Sequence, residues 1–201
     1  VPLDFAAVTD HSEGFGLMEQ CNNPQSQTYR SITCYSLRFK LKLMFKQVVA
    51  SVKQEGKKTG SYMSGPCGES GVYCKTSAKD MWQEIQSAAN EYYQPGRFTT
   101  FIGYEYSPTL NQSGMLHRNV IFRGTQVPAT AFSALDGFAE DLLRWLDTTC
   151  QGECQAMAIP HNPNWSWGLM YGELNSDATP LTRENLLLRA KYESLVEICQ
   201  G

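Results

Sequence analysis

Three histidines and one glutamate carry the most distinctive chemistry in this chain. His11 closes the apolar run from Phe5, His117 opens the run to Phe122, and His161 closes the run from Ala156. Glu105 ends a fourth run that starts at Phe98. Neutral imidazole binds Zn, Fe or Mn ions well, and a carboxylate can bridge two ions. A single histidine at a strand end is usually structural. Here all 3 histidines of the chain show the pattern, with a carboxylate placed alike, so a shared divalent-metal site is the reading that covers them all. Asp10, beside His11, could accept its ring proton. Arg118, beside His117, could pair with an anionic substrate oxygen. Glu13, Tyr104 and Tyr106 rank as supporting groups, Trp165 and Trp167 as packing or rim residues. Glu193 and Glu197 are assigned to the entrance of a strand.

Positioning these groups requires a common rim. The apolar runs lack strict alternation, which suits strands covered on both faces, as in a parallel sheet or barrel dressed with helices. In such a barrel the carboxyl ends of the strands share one rim, and functional residues collect there. His11, Glu105 and His161 end their strands. His117 begins its own, and the short link from Glu105 predicts an antiparallel hairpin that returns His117 to the same rim. Leu37, Leu41, Met44, Phe45, Val48, Val49 and Val52 recur at helical spacing and predict one long helix, with Lys40, Lys42, Lys46 and Lys53 on its solvated side. Ser77 to Asp80 reads as a capping box opening a helix that Pro95-Gly96 terminates. Ser133 to Asp136 leads into another through Phe138, Leu142, Trp145 and Leu146, and Thr182 begins a fourth. Residues 12–35 and 54–76 read as polar loops, the first over the site. Residues 194–199 read as a strand. No linker divides residues 1–201, so a single domain is expected.

Charge and cysteine content narrow the setting. The chain has 201 residues and a net charge of −3, which gives no reason to expect nucleic acid as a partner. No stretch approaches the roughly 20 apolar residues of a membrane span. Its 7 cysteines fall in local pairs, Cys21 with Cys34, Cys67 with Cys74 and Cys150 with Cys154, leaving Cys199 over. Disulfide staples in an oxidising compartment, periplasmic or secreted, are the first reading; a zinc knuckle is the second, without any Cys-x-x-Cys to favour it. The chain begins at Val1-Pro2-Leu3 without Met and stops at Gly201 just after a strand-like run, so it reads as an excerpt of a longer polypeptide.

Several stretches resemble a known superfamily. Thr9-Asp10-His11 after its strand, Gly103-Tyr104-Glu105, His117 with its strand, and Pro160-His161-Asn162 resemble, in order, motifs of the PHP (polymerase and histidinol phosphatase) superfamily. The flanks from Pro95 to Glu105, Leu116 to Phe122 and Arg189 to Ile198 look like a narrower PHP-like family of unknown function. The resemblance implies a distorted (β/α)7 barrel with a di- or trinuclear metal site at its rim. His11, Glu105, His117 and His161 would be ligands, Glu105 bridging ions; with Glu105, the neighbouring Arg118 and Asp10 are the candidate catalytic residues by type and position. The superfamily's His-x-His and Asp-x-His strands have no counterpart here, so the barrel would lack its first and last strands. The implied activity is metal-dependent hydrolysis, a phosphoesterase acting on a small phosphorylated molecule with Zn, Mn or Fe. Cleavage of an amide, a sulfate ester or a glycan-linked group is the alternative, as is a non-catalytic binding or assembly protein on a degenerate barrel.

Overall fold

The computed structural model of the chain describes residues 3–39, 42–55, 58–110 and 114–200. Val1, Pro2 and Gly201 lie outside these residues, as do Lys40 and Leu41 of the expected long helix.

The elements run β1 (Phe5–Ala7), α1 (Phe15–Asn22), α2 (Ile32–Arg38), α3 (Lys42–Ser51), β2 (Lys53–Gln54), α4 (Ser64–Cys67), α5 (Val72–Tyr92), β3 (Thr99–Tyr106), β4 (Thr109–Leu110), β5 (Arg118–Arg123), α6 (Ala139–Thr149), β6 (Gln155–Pro160) and α7 (Arg183–Tyr192). The predicted loop at residues 12–35 is largely helical: it holds α1 and the start of α2, which the Cys21–Cys34 disulfide ties together. The predicted start at Ser77 lies inside α5, which begins five residues earlier at Val72. Ser133 and Asp136 hydrogen-bond to each other in a turn rather than capping α6. It is Asp141, in the first turn of α6, that accepts the Phe138 N–H at 3.0 Å. Thr182 does cap α7, its hydroxyl accepting from the Asn185 backbone at 3.2 Å. Residues 194–199 are extended without being a strand; Glu197 N–H donates to Pro160 O at 3.1 Å.

The barrel expectation is corrected. Among the described residues the strands form an open four-stranded sheet, ordered β1-β3-β5-β6, and a separate parallel pair, β2-β4. Only β1–β3 is parallel in the larger sheet; β3–β5 and β5–β6 are antiparallel. Strands β1 and β6 each pair on one side alone, whereas a barrel requires every strand to pair on both. The hairpin expectation holds: Glu105 pairs with Asn119 and Tyr106 with Arg118.

Because side chains alternate along a strand, the sheet has two unlike faces. Ile102, Tyr104, Tyr106, Val120, Phe122 and Ala158 share one face and are buried against Trp82 of α5, Leu142, Leu143 and Leu146 of α6, and Leu188 and Tyr192 of α7. Trp82 meets Tyr104 edge to face at 5.5 Å, and its indole N–H donates to Pro128 O at 2.8 Å. The other face carries Gly103, Glu105, His117, Asn119 and His161. Gly103 is required there, since a Cβ would lie 2.9 Å from Val120 O and 3.4 Å from Thr9 Cγ2. A smaller cluster of Leu17 and the four cysteines of Cys21–Cys34 and Cys67–Cys74 holds α1, α2, α4 and α5 together. Gly16 makes this approach tight: a Cβ would fall 1.9 Å from Cys74 O.

The third predicted disulfide, Cys150–Cys154, is also formed, and Cys199 is free and exposed. Three intrachain disulfides are what an oxidising, extracellular-type setting allows. No helix among the described residues is long and apolar enough to cross a membrane.

Candidate metal centre

The sheet order places four side chains in a row. His11 follows β1 and bridges to Glu105 in parallel register, and the Glu105 N–H donates to Asp10 O at 2.9 Å. Across the sheet, His161 N–H donates to His117 O at 2.9 Å. The β3–β5 hairpin brings the start of one strand beside the end of the other, which sets His117 against Glu105.

Glu105 lies at the centre, only 7% exposed. Its Oε1 is 2.8 Å from His117 Nδ1 and 3.7 Å from His11 Nδ1, and its Oε2 is 4.0 Å from His161 Nε2. One ligand atom each from His11, Glu105 and His117 fall within 4.8 Å of one another. The two oxygens of one carboxylate therefore face different imidazoles.

Three groups orient the rings. His161 Nδ1 is 2.9 Å from Glu197 Oε2, and the same oxygen accepts the Asn162 backbone N–H at 2.6 Å. His11 Nδ1 is 2.5 Å from Ser107 Oγ, and the Ser107 N–H in turn donates to Glu13 Oε1 at 2.9 Å. His117 Nδ1 is 3.1 Å from Asn162 Nδ2. Asn162 can reach it because its backbone is left-handed, φ 49°, a conformation asparagine tolerates better than most residues.

The residues fit a cation. Buried polar atoms are nearly always hydrogen-bonded, yet His117 Nε2 and Glu105 Oε1 are buried with no hydrogen-bond partner among the described residues. His117 Nδ1 approaches Glu105 Oε1 to 2.8 Å. A proton on Nδ1, toward the Glu105 carboxylate and the Asn162 side-chain amide, leaves the ring's lone pair on Nε2, the buried atom without a partner, free to meet a cation.

Electrostatics point the same way. Burial pushes the Glu105 carboxyl up, but the imidazoles of His117, His11 and His161 outweigh it and hold the carboxyl below its ordinary value. Burial pushes His117 down, and the nearby Glu105 offsets only part of this. An ionised carboxylate beside a neutral imidazole is the ligand state a metal needs. Glu13 is raised by burial, against the pull of the Ser107 and Ala134 N–H groups.

Two expected site residues stand elsewhere. Arg118 is 1% exposed; its Nε donates to Glu193 Oε1 at 2.8 Å and its Nη1 to Leu116 O at 2.6 Å. It pairs with Tyr106 in the sheet and so shares the face opposite Glu105, which takes it out of the expected role of meeting substrate beside His117. Asp10 is exposed on the border of the cleft, and His11 Nδ1 has Ser107 Oγ as its hydrogen-bond partner. Tyr104 and Tyr106 are core residues, while Trp165 and Trp167 are 56% and 71% exposed. No sequence motif singles out Ser107; Asn162 lies within the Pro160-His161-Asn162 motif, and Glu197, expected at a strand entrance, meets His161. Asn162, next to His161 in a Pro-His-Asn-Pro turn, is the one whose local signal could have been read.

No curated protein and no solved structure matches the chain. One family does, across its whole length. Residues 1–201 match the family described as "Protein of unknown function (DUF3604)", and the chain belongs to that family.

Proposed function

We propose that the chain carries the catalytic centre of a divalent-metal-dependent hydrolase of the PHP type, extracytoplasmic, in the periplasm or secreted. The observation that carries this reading is Glu105, set between three imidazoles with its two oxygens turned to different rings. His11, Glu105 and His117 would hold one ion, and Glu105 Oε2 with His161 Nε2 would face a second. Zn, Mn or Fe bound there would supply water activation and polarisation of the scissile group. The chain's own residues do the rest. Glu197 and Ser107 fix the ring orientations of His161 and His11. The depressed Glu105 carboxyl stays ionised at neutral pH. Supporting this further are the ordered motif resemblance and the paired cysteines.

A phosphoester is the bond the resemblance implies. A second reading, cleavage of an amide, a sulfate ester or another bond, is favoured by one observation: the arginine expected to neutralise phosphoryl charge is spent on Glu193.

Metal analysis of the purified chain after saturation with Zn, Mn and Fe tests the site, and turnover of aryl phosphate, sulfate, ester and anilide substrates tests the reaction. Glu105→Gln should lose both bound metal and turnover. If no metal is retained by the unaltered chain, the hydrolase reading fails.

A further inference from the structure

The His/Glu cluster does not fill the cleft that contains it. The cleft measures about 860 Å³, within the size range of small-molecule sites, which are mostly apolar with a few polar groups. Glu105, His11, His117 and His161 occupy one part of its lining. The rest includes Phe15 and Met18 from α1, Val48 and Val49 from α3, Val52 just beyond it, and Met115 from the segment before β5. Met18 and Val49 are 43% and 39% exposed at this wall. Apolar surface left in water beside a polar cluster is where an apolar ligand gains most by binding.

The charges of the cleft agree. Its described titratable residues are Asp10, Glu13, Glu105 and the three histidines; no lysine or arginine lines it among the described residues. A second anionic group on a ligand would meet acidic neighbours and no cation.

We infer that this cleft binds a substrate with an uncharged apolar arm, an acyl or aryl chain, which lies along Phe15, Met18, Val48, Val49, Val52 and Met115 while its scissile bond reaches Glu105. The second half of that statement rests on the hydrolase reading; the first half does not. Phe15, Met18, Val48 and Val49 of this wall come from α1 and α3. Most of the wall thus comes from elements other than the strands that carry the His/Glu cluster.

The test uses neutral probes on the full chain without added metal: 1-hexanol against ethanol, followed by NMR of methionine methyl groups labelled with ¹³C. The chain has 7 methionines, assigned by single Met→Leu replacements. Hexanol should move the Met18 and Met115 signals and leave those of Met63 and Met170 in place. It should bind at least about tenfold more tightly than ethanol, a modest share of what four buried methylenes can give. Val49→Glu, at a half-exposed position, should weaken hexanol at least about tenfold by placing a charge on the wall. Uniform small shifts, or equal affinity for the two alcohols, would overturn the inference. Zinc binding measured on the same protein separates the two proposals. Zinc bound with hexanol unseated sinks the apolar arm alone, and hexanol seated with zinc unbound sinks the hydrolase reading alone.

Discussion

His161 turns its Nδ1 to Glu197, 2.9 Å away, and so keeps Nε2 for Glu105 at 4.0 Å. A carboxylate behind a histidine fixes the ring and raises its basicity as a ligand. Glu197→Gln should therefore weaken zinc binding about 10- to 100-fold while the far-ultraviolet circular dichroism stays unchanged. Calorimetric titration with zinc checks this, and unaltered affinity would leave Glu197 as a surface hydrogen bond only.

Arg118 and Glu193 form a buried pair, 1% and 9% exposed at their side chains. Removing one partner strands the other charge. Arg118→Met should cost about 3–5 kcal/mol of stability, and Arg118→Met with Glu193→Leu should recover most of it. Urea unfolding measures both. Were Arg118 a substrate-facing residue, the single variant would instead keep its stability and lose only function.

Acid should destabilise the metal-free protein earlier than carboxylates alone would. His117 is held below its ordinary 6.5 in the folded chain, first by burial. Between that lowered value and 6.5 the unfolded chain holds more protons, so stability falls as pH falls. Glu105, held below 4.5, adds a second loss further into the acid range, by the same sign. Thermal melts from pH 8 downward should show the first decline beginning near the ordinary histidine value, and His117→Asn should flatten that part of the curve.

The module of α1, α2, α4 and α5 has a core made largely of cystine. Cys21 and Cys34 are 13 residues apart, a loop whose closure is worth about 3 kcal/mol. Replacing both by alanine should lower stability by about that amount. It should also loosen α1, and with it Phe15 and Met18 of the cleft wall, more than the four side chains of the His/Glu cluster, which sit on and beside the sheet. Hydrogen exchange resolves the difference: α1 amides should lose protection while those of β3 and β5 keep it.

Much of the candidate site was legible because metal-ligand chemistry is written in residue type. Three imidazoles and a carboxylate at the ends of apolar runs, with a link short enough for a hairpin, already imply one rim, and the β3–β5 pairing supplies it. The disulfides were legible for a related reason. Partners 13, 7 and 4 residues apart close short loops, which cost little entropy to form.

What the sequence by itself determined was which side chains form the His/Glu cluster, the hairpin and the local cysteine pairs, all set by neighbours or by chemistry that only a few residue types possess. The tertiary structure decided the rest. Arg118 is adjacent to His117 yet turned to the opposite face, because successive side chains alternate along a strand; adjacency to a ligand there argued against sharing its site. Glu197, Ser107 and Asn162 reach their histidines from 36, 96 and 45 residues away, contacts fixed only when distant segments meet. Among the described residues the sheet is open because β1 and β6 each pair on one side alone, and which strands meet is decided in space, not by any local pattern.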